Sequence, residues 1–155
     1  MPARPRILIV DDDEGIRTVF KLNLKKHGYS VDAAESGEEA LMKLEIRYFN
    51  LSLVDIKLPD IEGTELLKTM NEMYPDMVKI IVTANPSMDN AIEALNNGAD
   101  GFLIKPVKID ELIESIELHL EKQRKRKKLN ERNVSELIEN KAREMESMLK
   151  FHRPL

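Results

Sequence analysis

The chain has 155 residues, enough for one domain and an appendage, with 42% hydrophobic residues and a formal net charge of −4. It contains no cysteine, which excludes disulfides, thiolate chemistry and cysteine-based zinc sites, and it suits a reducing compartment without requiring one. The longest aliphatic run near the N-terminus, Ile7–Val10, is far short of the ~20 residues of a spanning helix. It is also too short for a signal-peptide core, so a soluble, cytoplasmic protein without a membrane partner is expected.

Short runs rich in Val, Ile and Leu alternate with stretches of helical periodicity. "RILIV" (6–10) reads as a first strand. A helix follows with Ile16, Val19, Phe20 and Leu24 on one face, closing at His27-Gly28. "YSVDAA" (29–34) reads as a second strand. The next helix opens at Ser36, with Glu39 placed for a capping box, and carries Ala40, Leu41, Leu44 and Tyr48 at helical spacing. "NLSLVD" (50–55) is a third strand, before a helix with Leu66, Leu67 and Met70 that must stop ahead of Pro75. "VKIIVTA" (78–84) is a fourth strand, then a helix from Ser87 to Asn97 with Ala91, Ile92, Ala94 and Leu95, ended by Gly98. "GFLIKP" (101–106) is a fifth strand, and a fifth helix starts near Asp110 with Leu112, Ile113, Ile116 and Leu120. Five strand–helix units with crossover connections demand an α/β fold, a five-stranded parallel sheet wound doubly with helices on both faces.

In such a sheet, ligands gather at the carboxyl ends of the strands. Asp11 and Asp12 follow the first strand, Asp55 ends the third, Thr83 the fourth and Lys105-Pro106 the fifth. Residues far apart in sequence should converge on one edge: three carboxylates, a hydroxyl and a lysine. Carboxylates with room for water suit Mg²⁺. A carboxylate can also act as nucleophile toward a phosphoryl group, whose oxygens a cation and a lysine would neutralise.

With "VDDD", "LVDIKLPDIEG", "VTA" and "GFLIKPV" in this order, residues 6 to about 120 resemble the receiver domain of two-component response regulators. The resemblance implies a (βα)5 fold of the flavodoxin-like, CheY-like kind. It makes Asp55 the phosphoacceptor, Asp12 a direct Mg²⁺ ligand and Asp11 its partner through water, with the Lys57 backbone carbonyl as a further ligand. It makes Thr83 the switch hydroxyl, Lys105 the phosphate contact and Phe102 a switch aromatic, for which core packing is an equal alternative. It implies a cis peptide before Pro106. The expected donor is a sensor histidine kinase or phosphotransfer protein, and the only catalysis is of the chain's own phosphorylation and dephosphorylation. Lys57 and Asn85 stand at positions that tune phosphoryl lifetime in the family. Asp13 has no family role and is read as an acidic start to the first helix.

The expected division is a receiver over residues 1–121 and a basic helical extension or linker over 122–155. Formal charge is −9 over residues 1–120 and +5 over 121–155. "KQRKRKKLNER" (122–132) holds seven basic residues, but with no interleaved aromatics or helix-turn-helix pattern a solvated connector is preferred to a nucleic-acid arm. Beyond it, Val134, Ile138, Ala142, Met145 and Leu149 form an apolar stripe, and Asn133 with Glu136 is placed to cap a new helix after a break near Asn130–Asn133. Output through protein contact or a homodimer formed on activation is the first reading. DNA or RNA binding through the basic tail, or a place at the front of a longer regulator, is the alternative.

Overall fold

The computed structural model describes residues 4–151. Its elements are β1 (Arg6–Val10), α1 (Glu14–Lys26), β2 (Ser30–Ala34), α2 (Gly37–Ile46), β3 (Leu51–Val54), α3 (Gly63–Met73), β4 (Val78–Thr83), α4 (Met88–Asn96), β5 (Gly101–Ile104) and α5 (Ile109–Phe151). All five strands pair in parallel, in the order β2-β1-β3-β4-β5. This is the (βα)5 architecture expected of the alternating pattern, and the chain direction reverses its walk across the sheet between β1 and β3.

Because side chains alternate across a strand, each strand feeds two cores. Ile7, Ile9, Leu51, Leu53, Val78, Ile80 and Val82 meet Phe20 and Leu24 of α1 and Leu112, Ile113 and Ile116 of α5. Leu8, Val10, Val54 and Ile81 meet Ala40 and Leu44 of α2, Leu66, Leu67 and Met70 of α3, and Ala94 of α4. β3 and β4 are buried along their whole length, as central parallel strands must be. A lysine shares that interior: Lys79 is buried on β4, and its ammonium donates to the Met77 carbonyl at 2.7 Å and the Tyr74 carbonyl at 3.5 Å, just past the C-terminal end of α3. A lysine there meets the negative end of the helix dipole.

Three local expectations differ from the structure. Tyr48 is not on α2: the helix stops at Ile46, Tyr48 is exposed, and it is Phe49 that enters the core. The capping box at α2 is shifted by one residue. Ser36 Oγ accepts from the Glu39 N–H at 3.1 Å, but Glu39 reaches back to the N–H of Glu35. The third concerns the C-terminal helix, which does not break at Asn130–Asn133. No glycine or proline occurs in Ile109–Phe151, so nothing forces an end, and asparagine costs too little to impose one.

The chain divides into two units after Leu120. In the second unit, the helix leaves Val134, Ile138, Met145 and Leu149 more than half exposed, together with Leu137 and Met148. Glu139 and Arg143 pair at 3.6 Å along it. Among the described residues no helix is long and apolar enough to cross a membrane.

Candidate functional site

The site is built at the carboxyl ends of β1, β3, β4 and β5. The three carboxylates after β1 do three different things. Asp11 is buried, its N–H held by the Ala34 carbonyl at 3.1 Å and its Oδ1 accepting from the Asp13 N–H at 2.9 Å. Asp12 is exposed. Asp13 is the N-cap of α1, accepting from the Ile16 N–H at 3.1 Å, a fuller role than the helix-dipole charge expected of it.

Asp55 follows β3 and is buried, with its N–H bonded to the Val10 carbonyl at 2.9 Å. Its Oδ1 accepts from the Lys57 N–H at 3.3 Å. Lys105 extends from the end of β5 between the two buried carboxylates. Its ammonium donates to Asp11 Oδ2 at 2.7 Å and to Asp55 Oδ2 at 3.0 Å. Thr83 is fully buried at the end of β4, its hydroxyl accepting from the Asn85 N–H at 3.1 Å, and its carbonyl accepts the Lys105 N–H at 2.8 Å. The Lys105–Pro106 peptide is cis. Phe102, on β5, is partly buried against the core beside α3 and α4.

Electrostatics follow from burial in this small space. Desolvation pushes the Asp11 carboxyl above its ordinary range, and the like charge of Asp55 adds to this. The bonds from Lys105 and Asp13 oppose it without cancelling it. For Lys105, desolvation works against the ammonium, but the bonds to Asp11 and Asp55 outweigh it and its pKa is raised. The lysine therefore stays charged while it faces two carboxylates.

Asp11, Asp12 and Asp55 can each bring one oxygen to within 4.8 Å of the others. Two buried carboxylates and one open to solvent form an all-oxygen set with room for water. That donor set fits Mg²⁺, which keeps much of its hydration shell. Beside the site lies a groove of about 580 Å³, lined by Ile16, Val19 and Phe20 of α1 and by Ala84, Lys105 and Pro106.

Residues 7–117 match the family model of the response regulator receiver domain. The chain belongs to that family. Receiver relatives include the transcriptional regulatory protein ZraR of Klebsiella oxytoca, 41% identical over 106 residues, which are 68% of this chain and 24% of ZraR. The DNA-binding transcriptional regulator NtrC of Proteus hauseri is 32% identical over 148 residues, 95% of this chain and 31% of NtrC. The chain thus spans about a quarter to a third of the length of these relatives. A CheY-like response regulator receiver domain protein from Methanospirillum hungatei superposes with a TM-score of 0.79 at 46% identity, over 80% of this chain and 99% of that one.

Two residues of the receiver's site region carry no signal in the sequence reading. Arg17 of α1 donates to the Asp11 carbonyl at 2.8 Å and lies 3.8 Å from the Glu35 carboxylate. Asp60, in the loop after Asp55, accepts from the N–H groups of Gly37 and Glu38 at 2.9 and 2.8 Å. Asp60 is one of two acidic residues between Asp55 and Gly63, and nothing in the stretch "DIKLPDIEG" names its partner.

Proposed function

We propose that this receiver accepts a phosphoryl group on Asp55 from a phosphohistidine of a partner kinase or phosphotransfer protein. The observation that supports this best is the Lys105 ammonium bridging Asp11 and Asp55, which sets a carboxylate nucleophile, an acidic pair and a cation at one strand edge. In the reaction an Asp55 oxygen forms a bond to phosphorus while the P–N bond breaks, and its electron pair returns to the imidazole. Asp12, Asp11, Asp55 and the Lys57 carbonyl would hold Mg²⁺, which supplies charge neutralisation for the phosphoryl oxygens. Lys105 exchanges one carboxylate for a phosphoryl oxygen, and the Thr83 hydroxyl donates to another. The groove beside Lys105, with Ile16, Val19 and Phe20 on its wall, offers the donor protein an apolar surface to dock on. A kinase phosphohistidine is made from ATP, so this chemistry belongs in the cytoplasm, and the catalysis is confined to the chain's own phosphorylation and dephosphorylation. Incubated with Mg²⁺ and a small phosphodonor such as acetyl phosphate, the wild type is expected to gain the mass of one phosphoryl group. Asp55→Asn is expected to gain none, and uptake by that variant would move the acceptor elsewhere.

Phosphorylation then shifts a conformational equilibrium, with Phe102 and Thr83 as the moving parts, and the output passes through the helical extension. The exposed stripe of Val134, Ile138, Met145 and Leu149 supports a homodimer formed on activation, with the receiver at 1–121 and the transmitting extension at 122–155. Light scattering with beryllofluoride and Mg²⁺ should show the full chain doubling in mass, and Ile138→Asp staying monomeric. A monomer in every condition would turn the output toward a separate effector.

A second reading rests on the relatives. NtrC is named as DNA-binding, and its match runs past Leu120 through the basic segment. In this reading the chain is the front of a longer regulator, or its basic tail touches nucleic acid directly. Direct contact through residues 122–132 would give DNA affinity that falls steeply with salt.

A further inference from the structure

Asp60 stands outside the acid cluster, five residues after the phosphoacceptor, and it is tied to a different strand–helix unit. Its two carboxylate oxygens take the first N–H groups of α2, from Gly37 to Oδ1 at 2.9 Å and from Glu38 to Oδ2 at 2.8 Å. Ile61, the next residue, lies directly over Gly37, where a Cβ would come within 2.2 Å of its Cγ2. The helix start therefore has two cap acceptors from different places: Ser36 from its own chain segment, on Glu39, and Asp60 from the β3–α3 loop. Ser36 satisfies the Glu39 N–H and Asp60 the two N–H groups before it, so the same bonds that complete the helix start also fix the loop to it. The bonds to Glu38 and Gly37 hold the Asp60 carboxyl below its ordinary range, which keeps it ionised and accepting at neutral pH.

The tethered loop is the one that carries Lys57. It is closed at its base by the Gly63 N–H to the Ile56 carbonyl at 2.6 Å and by pairing of Lys57 with Glu62. Its tip has the Asp60–α2 contact as a fixed point on the body of the fold. Just before the α2 start, Glu35 lies 3.8 Å from Arg17, which donates to the Asp11 carbonyl. The firm anchor of the β3–α3 loop on α2 is therefore the Asp60 pair of bonds.

We infer that Asp60 is a positioning residue for the metal site: by docking the β3–α3 loop onto the N-terminus of α2 it holds the Lys57 carbonyl and Asp55 in register with Asp11 and Asp12. This rests on the Mg²⁺ reading of the acid cluster. Its test is Mg²⁺ binding by titration calorimetry on the full chain. Asp60→Ala is expected to weaken Mg²⁺ about ten-fold, the scale on which outer-shell partners act, and Asp60→Asn, which keeps an acceptor, to recover part of that loss. Ser36→Ala removes a cap bond from the same helix without touching the loop, and should bind Mg²⁺ as wild type does. Hydrogen exchange at Lys57–Glu62 should quicken in Asp60→Ala without added metal and remain slow in Ser36→Ala. Asp60→Ala that binds Mg²⁺ as tightly as wild type overturns the tether, as does an equal loss in Ser36→Ala. A wild-type chain that takes up no Mg²⁺ overturns the metal reading itself and the inference with it.

Discussion

Lys105→Met is expected to destabilise the metal-free protein by about 2–3 kcal/mol at pH 7 and to make its stability depend more strongly on Mg²⁺ than that of the wild type. The side chains of Lys105, Asp11 and Asp55 are only 14%, 4% and 10% exposed, so water screens this triad poorly. Deleting one partner of a buried ion pair costs roughly 3–5 kcal/mol because the other is left uncompensated. The exposed Asp12 marks an opening to solvent, which places this site at or below the lower end of that range.

The pH dependence has a definite sign. Burial already raises the Asp11 carboxyl, and loss of the ammonium that pulls against it raises it further. A carboxyl whose folded pKa exceeds its unfolded one favours the folded state when protonated. The deficit is therefore full at neutral pH and shrinks as pH falls through that raised value. In the wild type the raised Lys105 pKa contributes stability that is present below its ordinary 10.5 and is lost only as pH rises through the higher folded value. Urea unfolding at pH 7 and about pH 5 should show the gap between variant and wild type narrowing in acid. Mg²⁺ should do the same, because with no ammonium competing for the carboxylates the variant binds the cation more tightly than the wild type, and at saturation each ten-fold difference in dissociation constant closes the gap by about 1.4 kcal/mol. A gap that neither acid nor Mg²⁺ narrows would mean that the loss is one of packing and not of charge.

Much of this site is legible in the sequence because a parallel sheet converts strand ends into neighbours. Asp11, Asp55, Thr83 and Lys105 each terminate an apolar run, and once the runs are parallel their ends share an edge. What the sequence hides is contact made by loops and by single long side chains. Asp60 is 22 and 23 residues from the amides it accepts, with no period to betray the pairing. Lys79 sits in "VKIIVTA" as though on a polar strand face, yet it is buried and spends its charge on carbonyls a few residues back in the chain. Tyr48 satisfied helical spacing and still lies outside α2, since spacing says which face a residue would occupy but not where the helix stops. On α4 only Ala94 is buried among the apolar residues of the expected face, while Ile92 and Leu95 remain exposed. Periodicity marks an amphipathic helix but not how much of its apolar side the fold covers.

The other large effect is expected from a methyl group. Gly63→Ala should cost about 4 kcal/mol, in the small class of severe substitutions, although alanine is the better helix former. A Cβ at Gly63 would stand 2.1 Å from the Asp55 carbonyl oxygen, 2.6 Å from Ile56 Cα and 2.9 Å from the Asp55 carbonyl carbon. All three are backbone atoms, and they cannot swing aside as a side chain can. Asp55 is pinned to β1 through its N–H on Val10, and Gly63 is drawn against Ile56 by its own 2.6 Å bond. Relief requires the β3–α3 loop to open, which displaces the Lys57 carbonyl and frees the Asp55 backbone together. Stability and Mg²⁺ affinity should therefore fall in the same variant. Gly15→Ala is the matching control. It is also near a helix start, but its nearest neighbour is Asp13 Oδ1 at 3.1 Å, the cap acceptor of α1, which need give by only a few tenths of an ångström and can keep its bond to the Ile16 N–H. The gain in helix propensity there, about 1 kcal/mol, should leave that variant close to wild type. Urea midpoints for the pair, with Mg²⁺ titrations beside them, decide the matter: equal midpoints would mean that the loop yields at Gly63, and that the close approach of backbone to backbone is not what fixes the acceptor.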